Sequence, residues 1–489
     1  MNATLEKPAP ARAGSTITAV DPPQPTVTST APGTIPLTPP ETLTHETPSS
    51  SEQEGTIAPS RDGGPQAWLV VAGSFLIHSF AFAPTEYIFG IFEHHYQEVY
   101  PSSNASSIAF VGTAGSAVTY LAGFLAGIVA DRFGFRLTAI TGTLLMTLSL
   151  VLASFAKQLW QLYLTQGVLF GIGASLAYYP AIAVPSHYFT KKRGLATGLA
   201  VSGVGAGGLI LAPLTQSLIE KTDIYWTLRI LALLCLVVCG GASMLIAESK
   251  VHVEVCRSVT EADSSAEKGV VKETSKEKPS FFAALKVFKD PRFLSLSLAE
   301  LAASVGFLIP LYYMQTYAVF VGVPVEKGAL ILGLSNGASF AGRILLGLIS
   351  DYFSNVKVLF ICSWCTAFAV MVLWTLSKSF GTLLLMGLVF GFFAGGYISL
   401  VPVAVAQSFG TKQIASTIGL MYAAGGIGML GGAPLAGFLL DVTRPNISYL
   451  PVTLTAGATM TLGALCITIW AYLDWKMNRV RRVRTMDTL

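Results

Sequence analysis

The chain has 489 residues, 52% of them hydrophobic and only 12% charged, with a formal net charge of +4. Soluble proteins carry roughly 25% charged residues, so about half the usual charge is missing, and the mean hydropathy of +0.60 agrees. These values exclude an ordinary water-soluble surface, and the small, scattered charge argues against a nucleic-acid partner; the expected partner is the lipid bilayer.

Pro, Thr and Ser fill 29 of residues 1–60. Such a segment buries too little apolar surface to offset its ordering entropy, so it reads as a disordered cytosolic tail. It also lacks the basic start and apolar core of a signal peptide. A bilayer core of ~30 Å needs about 20 apolar residues in a helix. Twelve runs qualify, at about 66–92, 106–130, 137–155, 160–184, 194–217, 225–247, 293–319, 327–350, 356–377, 380–405, 413–437 and 450–474. The expected class is an all-α polytopic membrane protein of twelve transmembrane helices. Its 47 glycines recur inside the runs, as in Gly123…Gly127 and Gly203-Val204-Gly205, where small residues let membrane helices approach closely. The charged segment 248–292 divides the runs six and six. The expected organisation is thus a tail (1–60), a six-helix bundle (61–247), a cytosolic linker (248–292), a second bundle (293–475) and a basic cytosolic tail (476–489).

With a cytosolic N-terminus, only Lys157, Lys221, Lys327, Lys378 and Arg444 of the 31 Lys and Arg fall in outside loops, and Arg229 and Arg343 fall within runs. The remainder lie inside, which predicts that both termini are cytosolic. The sequons at Asn104 and Asn446 then lie in outside loops, where glycosylation can occur. The six cysteines show no disulfide framework, and Cys362-x-x-Cys365 has no βαβ context. No metal or cofactor is expected. The chain sets no oligomeric state.

The halves repeat at one offset. Gly127-x-x-x-Asp131 returns as Gly347-x-x-x-Asp351, and Phe189-Thr-Lys-Lys192 as Phe409-Gly-Thr-Lys412, both after 220 residues. Parallel repeats of this kind place a central solute site between two pseudo-symmetric six-helix bundles.

Gly127-x-x-x-Asp131-Arg132-x-Gly134-x-Arg136, between the second and third runs, resembles the cytosolic signature of the major facilitator superfamily. Gly127 allows a close helix crossing, and Asp131 can pair with cations or face a helix N-terminus. The resemblance implies a gating role for this loop, and for Asp351 in the repeat, by latching the outward-open state. A narrower resemblance is to the monocarboxylate transporter family, particularly its fungal members. It rests on Asp62-Gly63-Gly64-Pro65-Gln66-Ala67-Trp68 before the first run and on Tyr188 to Gly198 entering the fifth, and it covers residues 62 to about 475.

Charges inside a membrane are costly and mark candidate sites. Arg343 lies mid-run, with Asn336 two turns and Ser339 one turn before it. A guanidinium can hold a carboxylate through two parallel hydrogen bonds, and the family resemblance implies that role. Glu86 follows Pro84 in the first run and, counted from Trp68, falls where animal members carry a substrate-binding lysine. Ser339 stands where they carry an aspartate used in proton coupling. Both departures lean away from simple lactate–proton symport. Glu86 can pair with Arg343, take a proton itself or face the outer vestibule. Tyr312 and Tyr313 join the candidate lining with Tyr178, Tyr179, Gln315 and Tyr317. Glu300 and Arg229, near run ends, read as snorkelling or structurally paired, and His78 as structural before proton-carrying.

The P-loop, H-E-x-x-H and G-x-S-x-G patterns are absent, so no enzyme is expected. The expected function is secondary transport of a small organic solute, a carboxylate or related metabolite, by alternating access, with protons as a candidate coupling ion. Efflux of a fungal secondary metabolite, uptake of a riboflavin-like vitamin and a non-transporting nutrient sensor are the alternatives. The expected address is the cell membrane, with the vacuolar membrane second.

Overall fold

The computed structural model describes residues 63–101, 103, 105–246, 286–411, 414–443 and 448–487. The sequons at Asn104 and Asn446, the tail 1–60 and most of the linker lie outside them. Among the described residues every regular element is helical. Eleven helices are long and apolar enough to cross a membrane, and a bent pair makes twelve. They are α1 (Pro65–Phe92), α2 (arms Ala105–Leu121 and Gly123–Phe133), α3 (Phe135–Ala153) and α4 (Leu159–Tyr188). Next come α5 (Arg193–Lys221), α6 (Ile224–Leu245), α7 (Pro291–Phe320) and α8 (Val325–Tyr352). The last four are α9 (Asn355–Trp374), α10 (Phe380–Phe409), α11 (Ile414–Val442) and α12 (Leu450–Asp487).

Local chemistry sets where these helices begin and end. Asp290 caps α7, accepting from the Arg292 amide at 2.9 Å, with Pro291 in the first turn. The Asp223 carboxylate caps α6 by accepting from the Trp226 amide at 2.6 Å, and Ser379 with Thr382 forms a capping box on α10. These contacts satisfy amide donors that the first helical turn leaves open. Gly134, at φ 93°, turns the chain sharply between α2 and α3, a conformation that costs a glycine little.

Two boundaries depart from the sequence reading. The run 106–130 is not straight: its arms meet at 46° between Leu121 and Gly123. The segment 476–489, read as a tail, continues α12 as helix to Asp487.

The fold is two pseudo-symmetric six-helix bundles. In the first, α1 packs on α5 and α6, and α3 on α4 and α6. In the second, α7 packs on α11 and α12, α8 on α10, and α9 on α10 and α12. The bundles meet chiefly where α5 crosses α8 and α2 crosses α11. Large apolar side chains such as Leu125, Ile210 and Val237 remain more than half exposed. With apolar residues also filling the interior, the helices are apolar all round, as a bilayer environment requires.

Candidate functional site

The two inter-bundle crossings share one design. A Cβ at Gly127 would lie 2.3 Å from the Ala415 carbonyl oxygen, and one at Gly347 would lie 2.4 Å from that of Gly194. Only glycine admits backbones this close. One turn after each glycine, an aspartate reaches the N-terminus of the opposing helix. Asp131 Oδ2 accepts the Ser416 amide at 2.8 Å and also the Ser416 hydroxyl. Asp351 accepts the Gly194 amide at 2.7 Å on Oδ1 and the Leu195 amide at 2.8 Å on Oδ2. Both carboxylates thus satisfy first-turn amides and sit at the positive end of a helix dipole, worth ~0.3–1 kcal/mol beyond the bonds themselves. The bundles are drawn together at this end. Of the neighbouring signature residues, Arg132 lies over the Phe133 ring. Arg136 donates to the Met244 carbonyl, its Nε at 3.1 Å, joining the α2–α3 turn to the end of α6.

Deeper in the bundle, Arg343 is only 3% exposed. Its Nη1 donates to the Val201 carbonyl of α5 at 2.8 Å, a bond between bundles. Its Nε has no hydrogen-bond partner among the described residues. Helical spacing puts Asn336, Ser339 and Arg343 along one face of α8. Ser339 packs against Gly395 of α10, where an added Cβ would come 2.4 Å from the Ser339 carbonyl oxygen.

Glu86 is carried on a π-helical turn, Ala83–Tyr87, that interrupts α1. Pro84 lacks an amide hydrogen, and a π-turn accommodates it by admitting an extra residue. Ser116 of α2 lies beside the Glu86 carboxyl, and the charges of Glu86 and Arg343 act on one another across the bundle interface without forming a direct ion pair. Glu86 Oε1 is buried and unpartnered among the described residues. His78 is held from one side, with Nδ1 2.6 Å from the Ser74 carbonyl oxygen, and packs edge-on against Tyr178 at 4.9 Å. Tyr178 also meets Phe82, Tyr179 and Tyr422. Tyr120 meets Tyr422 at 5.6 Å. These tyrosines form an aromatic wall across the bundle interface.

The family model of the major facilitator superfamily matches residues 67–362 and 321–484. The chain belongs to the major facilitator superfamily. It is 30% identical over 420 residues to the agnestins efflux protein AgnL12 of Paecilomyces divaricatus, an alignment covering 86% of this chain and 90% of that protein. It is likewise 30% identical over 448 residues to monocarboxylate transporter 12 of Homo sapiens, covering 86% of this chain and 85% of that one. In fold it is similar to the proton:xylose symporter XylE, with a TM-score of 0.66 and 14% identity over 83% of this chain and 96% of that chain. It also resembles FucP in the outward conformation, with a TM-score of 0.62 and 15% identity over 82% and 99%.

This facilitator is a secondary transporter, and its structure sorts the candidate residues. Arg343, Asn336, Ser339 and Glu86 gather toward the bundle interface. Tyr312 and Tyr313 do not join them. The Tyr313 hydroxyl would lie 3.3 Å from a Cβ at Gly437, and Tyr312 is 40% exposed. By helix rise, both stand ~15 Å along the bundle from Arg343. Arg229 is structural: its Nε donates to the Ser154 hydroxyl at 3.1 Å, and the guanidinium lies over Phe155 and Trp226.

Of the two readings of Glu300, the structure removes one. It does not snorkel; it is 5% exposed, accepts the Tyr397 hydroxyl at 3.1 Å and lines a cavity of about 40 Å³ among α7, α9, α10, α11 and α12.

Proposed function

We propose that this transporter carries an organic anion between its two bundles, with Arg343 as the carboxylate-binding residue. The observation that carries this reading is a buried guanidinium at the bundle interface that keeps a free donor at Nε and lends Nη1 to a backbone carbonyl of the other bundle. An arriving carboxylate can take two parallel bonds from such a group. The parallel pair is Nε–H with Nη2–H, so the anion can bind there while Nη1 stays on the Val201 carbonyl and ties the site to the other bundle. Asn336 and Ser339 offer further polar contacts along the same face. Glu86 opposes Arg343 from the first bundle and balances its charge when no anion is present. Asp131 and Asp351 latch the signature end and are released as the bundles rock. The distribution of Lys and Arg supports cytosolic termini and a cytosolic signature end, and the cell membrane is the address we favour.

The test is flux of radiolabelled lactate, benzoate and riboflavin into liposomes holding the purified full chain. Arg343→Ala should weaken carboxylate transport at least ~100-fold in apparent affinity, since removing one partner of a buried pair costs several kcal/mol. Retained carboxylate flux with normal folding would reject the clamp. Glu86→Gln should tighten anion binding severalfold, because Arg343 loses a competing negative charge. A structural Glu86 would instead lower flux without tightening binding.

A second reading, export of a secondary metabolite, draws support from the similarity to a fungal efflux protein over 90% of that protein's length. Cells expressing the chain would then accumulate less of the exported carboxylate than cells lacking it. Greater accumulation would favour uptake.

A further inference from the structure

Glu300 makes no hydrogen bond or ion pair with Arg343 or Glu86 among the described residues, although Tyr178 lies within electrostatic reach of all three. One carboxylate oxygen accepts from Tyr397 of α10. The other faces Gly425 of α11, where an added Cβ would come 3.3 Å from Oε1 and 2.8 Å from the Ser304 hydroxyl. The titratable groups around it are Tyr397 of α10, Tyr120 of α2 and Tyr422 of α11, Tyr178 and Tyr179 of α4 behind them, and Cys466 of α12 beyond Tyr397. None is a cation, and among the described residues no Lys, Arg or His pairs with Glu300. A buried carboxylate ion without a counter-charge is costly, so something must neutralise it.

The adjoining cavity limits the candidates. At about 40 Å³ it has room for a few waters at ~10–15 Å³ each. Its lining is mostly apolar, and Glu300, Ser304, Ser363 and Thr366 are among the polar groups that a water there could meet. One wall, Tyr120, belongs to the first bundle while the rest belongs to the second. Access to Glu300 therefore changes whenever the bundles move against one another.

We propose that Glu300, with Tyr397 as its hydrogen-bond donor, is a proton-binding site of the second bundle, loaded through this water cavity and separate from the anion site. A hydronium ion in the cavity gives its proton to Glu300, forming one O–H bond and leaving water. The reverse step releases the proton when the bundles present the cavity to the other side. The link to transport rests on the anion-carrier reading, but proton binding itself does not, so it is tested without a substrate.

The experiment is infrared difference spectroscopy on the purified full chain in lipid, stepped between acidic and mildly alkaline buffer. A protonated-carboxyl band should appear on acidification, vanish in Glu300→Gln, persist in Glu86→Gln and shift in frequency in Tyr397→Phe, which keeps the carboxyl but loses its donor. A band that survives Glu300→Gln, or that is lost only in Glu86→Gln, overturns the proposal. So does a band abolished when sodium replaces choline, because that would make Glu300 a metal-cation site. If Glu300→Gln fails to fold, an unshifted band in folded Tyr397→Phe overturns it equally.

Discussion

The α2–α11 and α5–α8 crossings are copies of one another in their packing and differ in the charge beside them. Each has a glycine against a backbone carbonyl and an aspartate on the first turn of the opposite helix. Yet Arg343, four residues before Gly347, has Gly123 as its counterpart 220 positions earlier, and Gly123 packs on Tyr179. The difference teaches that the repeat supplies the close backbone crossing twice, whereas the buried arginine is placed once, on the second bundle's side of the α5–α8 crossing.

The strongest way to break the comparison is to wedge each crossing in turn. Gly127→Val and Gly347→Val both drive a side chain into backbone, and each should reduce flux at least ~10-fold by preventing closure. If only one does so, the crossings are not equivalent gates. The aspartates sharpen the comparison. Both described bonds at Asp131 fall on Oδ2, so the carbonyl oxygen of Asp131→Asn can keep them. Asp351 uses both oxygens, and Asp351→Asn turns an NH₂ toward an amide donor. Asp351→Asn should therefore shift the equilibrium toward the signature-open form by about 1–3 kcal/mol, read as faster labelling of a cysteine placed at the signature end. The smallest effect belongs to Ser416→Ala, which loses one hydroxyl bond, about 1 kcal/mol, and keeps the amide. An effect as large as that of Asp351→Asn would mean that the hydroxyl, rather than the helix terminus, anchors Asp131.

Much of this architecture was legible because bilayer thickness imposes itself on composition. The twelve apolar runs match the helices to within a few residues, and the 220-residue offset anticipated the paired crossings. The 46° bend of α2 was not legible, because no proline marks it, and neither was the helical continuation of α12. The choice between the two readings of Glu300 was not legible for a related reason: in a helix apolar on every side, the sequence does not reveal which face meets lipid, so a carboxylate near a run's end looks free to reach water. The Arg343–Val201 bond was hidden because its acceptor is a main-chain carbonyl, which every residue possesses. The separation of Tyr312 and Tyr313 from Arg343 was not legible because residue type says nothing about depth along the bundle.

The π-helical turn beneath Glu86 means that the direction in which this carboxylate faces is set by chain length as well as by residue identity. Each residue advances a helix by about 100°, so deleting one position between Ala83 and Tyr87 would swing everything beyond it by roughly that angle. A homologue with glutamate in the same alignment column but without the extra residue would aim it elsewhere. Conversely, a homologue could recover the orientation with its carboxylate shifted by a column. Inheritance of this feature is thus better traced through insertions and deletions in the first helix than through substitutions at a single site.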